Sequence, residues 1–145
     1  MSNIDLKKYE NQKNFLKRYR KNKLLIDRLE SKLARLDDRL YNVKCATLNK
    51  IGTSSQLVTL DELISDKDDL QKRINKLLIK SRKYKREIEE QIDLLDDVRY
   101  AEILEMFFIE LKGFEIIADE LGYTIRHVIR LYSEAINELV EITDI

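Results

Sequence analysis

The chain predicts an all-α protein: a long, coiled-coil-like antiparallel helical hairpin followed by a C-terminal helix-turn-helix module. Three observations carry that expectation. Of 145 residues none is Pro and only 3 are Gly, so little in the chain breaks a helix. Apolar residues (43%) and charged residues (37%) together dominate, the balance found in long amphipathic helices. Apolar side chains also recur in heptads through much of the chain.

The first helix is expected over about residues 4–50. Phe15, Leu29, Leu36 and Val43 fall on one seam position and Tyr19, Ile26, Leu33 and Leu40 on the other. Asn22 sits inside that seam, where a polar residue fixes register at a cost in stability. At 1.5 Å per residue such a helix would be roughly 70 Å long. The run Gly52-Thr53-Ser54-Ser55 marks a loop at 51–59, and Thr59-Leu60-Asp61-Glu62 reads as a capping box opening a second helix over 60–95. Its seam runs through Leu60, Leu63, Leu70, Ile74, Leu77, Tyr84, Ile88 and Leu95, with Lys67, Ser81 and Gln91 as interruptions. Neither helix is stable alone, because helix stability comes mostly from burying the apolar stripe. Folding back as a hairpin and pairing with a second chain both bury it, so a homo-oligomer through the heptad seams stays open.

The chain is expected to divide at residue 96, into a basic hairpin (1–96) and a module (97–145). Asp96-Asp97 caps a third helix at about 98–111, with Tyr100, Leu104, Phe107, Phe108 and Leu111 on one face. Residues 114–133, FEIIADELGYTIRHVIRLYS, then hold two short helices around Gly122. Close crossing needs a small residue within the first helix, supplied by Ala118, and a residue tolerant of positive φ four places on, supplied by Gly122. Gly113 is likewise expected just after a helix, in the left-handed conformation that ends one. Ile117, Leu121, Tyr123, Val128 and Leu131 supply the apolar wedge, and Thr124 caps the second helix.

That second helix, 125–133, turns Thr124, Ile125, Arg126, Ile129, Arg130 and Ser133 outward, with His127 among them. Arg126 and Arg130 are four apart and share a face, the arrangement that reaches base edges or phosphates in a major groove. The run Lys80-Ser81-Arg82-Lys83-Tyr84-Lys85-Arg86 offers phosphate contacts through Lys83, Lys85 and Arg86, or serves as a solvated helix face.

The net charge of zero hides an asymmetry: residues 1–50 hold 14 Lys/Arg against 6 Asp/Glu, whereas residues 87–145 hold 4 against 16. Acidic charge repels phosphate, so the module also fits a protein partner. No apolar run is long enough for a membrane span, and the N-terminus lacks the apolar core of a signal peptide; one Cys, Cys45, suits a reducing cytoplasm. The sole histidine, His127, has no companions for a metal site, the carboxylate pairs sit on helix surfaces, and no glycine-rich phosphate loop is present. The reading is a binding protein without catalytic residues, metal or cofactor.

Three stretches carry a resemblance: the aromatic, Leu-rich helix ending in Phe108-Ile109, the segment from Ile117-Ala118 to Leu121-Gly122-Tyr123, and Ala135 with Leu139 in the closing helix. Over residues 98–142 the chain resembles phage late-transcription regulators of the ArpU and RinA type. These are similar in turn to the fourth region of bacterial sigma factors. The sigma-like pattern usually carries more basic residues on the reading helix than Arg126 and Arg130. The resemblance implies a phage or prophage regulator that binds double-stranded DNA in the bacterial cytoplasm and switches on late or packaging genes. Two alternatives stand beside it: a packaging protein like a terminase small subunit, and an adaptor that holds RNA polymerase without touching DNA.

Overall fold

A computed structural model describes residues 3–49 and 54–143. Among these the chain is all helical, with no strand: α1 (Asn3–Leu16), α2 (Arg18–Asn49), α3 (Ser54–Ile92), α4 (Val98–Phe108), α5 (Phe114–Leu121) and α6 (Ile125–Thr143). No described helix is long and apolar enough to cross a membrane. Contacts divide the chain into two compact units, residues 22–80, and residues 1–21 with 81–145. The division cuts α2 and α3 partway along.

The unit of residues 22–80 rests on the heptads. Leu29, Leu70 and Ile74 are buried between α2 and α3, with Leu25, Leu33, Leu36, Leu77 and Leu78 packed around them. Ile26, Leu40 and Leu63 are buried as well, so most seam positions are covered within the chain. Asn22 Nδ2 donates to the Leu77 carbonyl at 2.8 Å, and Lys67 Nζ meets Asp37 Oδ1 at 2.6 Å. Position 22 therefore meets 77 while 37 meets 67, so the two segments run in opposite directions. Two polar seam residues of this unit, Asn22 and Lys67, are accommodated differently. Asn22 is buried and satisfied by a backbone carbonyl, as a register-setting residue must be, while Lys67 carries its ammonium to the edge.

Two expectations need correction here. The helix over 4–50 is interrupted at Lys17, although i→i−4 bonds (Lys17 N–H to the Lys13 carbonyl, Lys21 N–H to the Lys17 carbonyl) continue on both sides. The loop at 51–59 is shorter than its sequence suggested: α3 has begun by Ser54, so Thr59 and Glu62 lie inside the helix rather than at its start. No Gly or Pro separates Ser54 from Thr59, and Gln56, Leu57 and Leu60 are compatible with helix, so nothing halts it there. Gly52 and Thr53 lie outside the described residues.

The other unit is built on α6, which packs against α1, α4 and α5. Leu16, Ile88, Ile103, Leu104, Phe108, Ile117, Val128, Ile136 and Leu139 are all buried in its core. Phe107 stacks on Phe114 at 4.7 Å between centroids, and the Tyr132 ring meets both edge-on at 5.1 Å. Burial raises the Tyr132 phenol above its ordinary pKa. Arg20, from the start of α2, lies over the Phe107 ring at 4.6 Å and donates to the Phe107 carbonyl at 3.1 Å, satisfying one of the open acceptors at the end of α4.

The connection into α4 follows its sequence. Leu94 and Leu95 close the end of α3 with i→i−3 bonds to Gln91 and Ile92. Asp97 is the N-cap of α4 and accepts from the Arg99 N–H at 2.9 Å. The Arg99 side chain folds back onto the same carboxylate and holds its pKa below the usual carboxylate value. α4 ends at Phe108, three residues short of the expected 111. The left-handed residue in the following turn is Leu111 (φ 60°), not Gly113. Gly113 is extended (φ −75°, ψ 165°) and serves as the N-cap of α5. The Lys112 N–H reaches back to the Met106 carbonyl at 3.0 Å, which places Leu111 at the point of reversal.

Candidate nucleic-acid interface

α5 ends as its sequence anticipates. Gly122 adopts φ 70°, ψ 31°, and its N–H and that of Tyr123 both bond to the Ala118 carbonyl. This left-handed residue turns the chain sharply between the two helices, and a residue with a Cβ adopts it only under strain. Ala118 is buried at the contact of α5 with α6, together with Ile117, Val128 and Leu131; Leu121 and Tyr123 pack at the margin. Two residues after the glycine, Thr124 Oγ1 accepts from the His127 N–H at 3.1 Å and starts α6. Position and direction of α6 are thus set by a left-handed turn, a small residue in the contact, and a side-chain cap.

The first two turns of α6 leave one face to solvent. Ile125, Arg126, Ile129 and Arg130 are exposed, and together with Thr124, His127 and Ser133 all but Ile125 line an open concavity of about 640 Å³. Arg126 forms no hydrogen bond or ion pair with the described residues, so its guanidinium is available to a ligand. Arg130 is held loosely: one guanidinium nitrogen lies 2.7 Å from His127 Nδ1, and Nε lies 3.9 Å from Glu134 Oε1. Tyr123 packs edge-on against the other side of the His127 ring at 4.8 Å, so His127 bridges the turn to Arg130. At the far end of the face Ser133 is half-buried and accepts from the Tyr9 hydroxyl of α1 at 3.4 Å.

No protein-family model, curated protein or solved structure matches this chain.

Of the expected contact residues, the fold gathers Thr124, Arg126, His127, Ile129, Arg130 and Ser133 around one concavity, with Ile125 exposed beside them. Lys83, Lys85 and Arg86 are exposed on α3 in the same compact unit. Among the described residues no hydrogen bond or ion pair joins them to α6. Tyr84 between them turns inward, half-buried beneath the Arg18 guanidinium at 4.6 Å. Arg18 in turn pairs with Glu87.

That α1 packs on α6 is not foreshadowed by its sequence. Tyr9 lies in the polar stretch DLKKYENQKN, where one aromatic residue among charges gives no face to recognise. The signal that existed was Phe15 and Tyr19 beginning the heptads with aromatics where the later positions carry Leu, Ile and Val. Both pack into the core around α6 rather than between α2 and α3.

Proposed function

We propose that this chain is a sequence-specific DNA-binding regulator of transcription, of phage or prophage origin and of the late-gene activator type. In this reading α2 and α3 form a helical hairpin, and α5, Gly122 and α6 form a helix-turn-helix whose second helix enters a major groove. The observation that carries it is the open face of α6, with Arg126 and Arg130 one turn apart on a helix whose start is fixed by Gly122 and Thr124. An arginine reads guanine bidentately through O6 and N7, and an exposed aliphatic side chain such as Ile129 meets a thymine methyl; both are base-edge contacts. Binding displaces little: Arg126 has no internal partner, and the Arg130–Glu134 contact is long and well exposed, so it contributes little to stability. The function is recognition rather than catalysis. If the chain dimerises, paired α6 helices one DNA turn apart, about 34 Å, would favour a two-fold site.

The test is capture and sequencing of fragmented phage and host DNA on the purified protein, beside the double variant Arg126→Ala, Arg130→Ala. Enrichment of one short region, lost in the variant, is the expected result. The genes flanking that region separate transcription control from packaging. Enrichment retained by the variant, or none at all, removes α6 as the reader.

One observation favours the polymerase adaptor as a second reading. Ile116, Ile125 and Ile129 are exposed on α5 and α6, and large exposed aliphatic side chains suit an apolar protein contact. In that reading Arg126 and Arg130 are dispensable while Ile125→Ser, Ile129→Ser abolishes polymerase retention in a pull-down.

A further inference from the structure

We infer that the unit of residues 22–80 carries a second, sequence-independent contact for the phosphate backbone of duplex DNA, at the hollow where Arg28, Lys32 and Arg35 of α2 face Arg73 of α3. These four cations and the apolar floor Leu25 and Leu29 enclose about 470 Å³, and no carboxylate lines the hollow. All four side chains are exposed, and none forms an ion pair with the described residues, unlike Lys67, which meets Asp37 in the same unit. Asp66 and Asp69 border the adjoining hollow beside Lys32 and Arg73, beyond ion-pair distance. Like charges converging on a concave, partly apolar surface focus a positive potential and hold an anion more strongly than the same charges scattered.

Spacing points to a polyphosphate strand rather than a single ion. Arg28 to Arg35 covers seven residues, about 10 Å of helix axis at 1.5 Å each. A row of that length is long enough to meet more than one phosphate of a DNA strand. Three of the four cations are arginines, whose planar forks pair with phosphate oxygens in a defined geometry. The acidic last third of a second copy is the competing occupant, and it suits the hollow less well. Several of its carboxylates are already engaged, Asp97 by Arg99, Glu120 by Lys112 and Glu134 by the Tyr100 hydroxyl. This contact does not depend on α6 reading sequence.

The test measures binding of the full chain to a labelled random-sequence duplex by fluorescence anisotropy, across a fourfold rise in salt. The fourfold variant Arg28→Gln, Lys32→Gln, Arg35→Gln, Arg73→Gln should bind more weakly, and its log–log salt slope should be shallower by about 0.9 for each phosphate no longer neutralised. For four phosphates, the wild type then weakens about 150-fold more over that rise than the variant does. The variant Arg28→Lys, Arg35→Lys, Arg73→Lys keeps the charges and should keep the slope. Should the fourfold variant fold poorly by circular dichroism, Arg35→Gln alone carries the test, with a slope change of about 0.9. An unchanged slope in the glutamine variants overturns the inference. So does a change in oligomer mass by light scattering with DNA affinity intact, which would assign the hollow to a second copy. Because the duplex is random, a shallower slope alongside failed DNA capture would leave this contact standing and remove the regulator reading alone.

Discussion

Replacing Gly122 tests the turn on which the position of α6 depends. A Cβ built at Gly122 meets nothing within 4 Å, so a substitution there introduces no clash and its cost is conformational. At φ 70° an L-residue carries a penalty of about 1–2 kcal/mol. Alanine recovers about 0.4–1 kcal/mol of this by restricting the unfolded chain. Gly122→Ala should therefore destabilise by about 1 kcal/mol. For a chain of 145 residues the unfolding entropy is about 0.3 kcal/mol per degree, so Tm should fall by about 3 °C. The series matters more than any one value. Gly122→Asn should cost less than alanine, because asparagine tolerates the left-handed region, and Gly122→Val should cost most, because β-branching makes that region a true outlier. The control is Gly113→Ser. Gly113 is extended at an N-cap, where serine supplies an acceptor and a stiffer unfolded chain, so a gain of roughly 0.5–1 kcal/mol is expected. Thermal melts followed by circular dichroism suffice for the whole set. If Gly122→Ala raises Tm, or valine is tolerated as well as asparagine, position 122 is not left-handed and does not set the angle between α5 and α6.

The same region yields three further predictions. Ala118→Leu forces extra volume into the contact between α5 and α6 and should destabilise by about 1–3 kcal/mol; a neutral result in urea unfolding would mean the helices do not approach closely there. Thr124→Ala removes the acceptor of the His127 N–H and should cost about 1 kcal/mol, whereas Thr124→Ser should stay within a few tenths, since serine caps as well. Asp97 has a folded pKa held below that of the unfolded chain by Arg99, so its stabilising effect is complete above the unfolded value near 3.9 and disappears as pH falls through the lower folded value. The Tm difference between wild type and Asp97→Asn should therefore be present at neutral pH and vanish in acid; a difference that persists there argues against the Asp97–Arg99 contact.

The sequence was most informative where one residue does one job. Gly122, Thr124 and Asp97 each answer a local backbone demand, and each stands where that demand arises. The heptads were legible for a similar reason: buried positions repeat at a spacing fixed by helix geometry, and Ile26, Leu29, Leu70 and Ile74 are buried accordingly. Less legible were features decided by tertiary contact. Phe15 and Tyr19 start the heptads that run on through α2, yet residues 1–21 join the compact unit of α6, because heptad spacing reports that a face is buried, not which partner buries it. Leu111 in a left-handed turn, with Gly113 two places on, was unreadable for a different reason. Glycine tolerates positive φ without requiring it, so a glycine marks a break more reliably than it marks the residue that turns.

The position of α1 changes the electrostatic case for the α6 face. Taken as a sequence block, residues 87–145 are strongly acidic, with 4 Lys/Arg against 16 Asp/Glu, and such a block would repel a phosphate backbone. The folded unit is not that block. Residues 1–21 add 7 Lys/Arg against 2 Asp/Glu, and with residues 81–86 the compact unit totals 15 against 18, close to neutral. Of this charge α1 itself carries Lys7, Lys8 and Lys13 against Asp5 and Glu10, and α1 packs on α6, where Tyr9 meets Ser133 at the end of the open face. Charges within about a Debye length, roughly 8–10 Å at physiological salt, are those that bear on an approaching phosphate. The acidity of the last third is therefore weak evidence against DNA contact. The relevant charge is that of the surface α6 shares with α1, and there the lysines of the N-terminus belong to the same unit as Arg126 and Arg130.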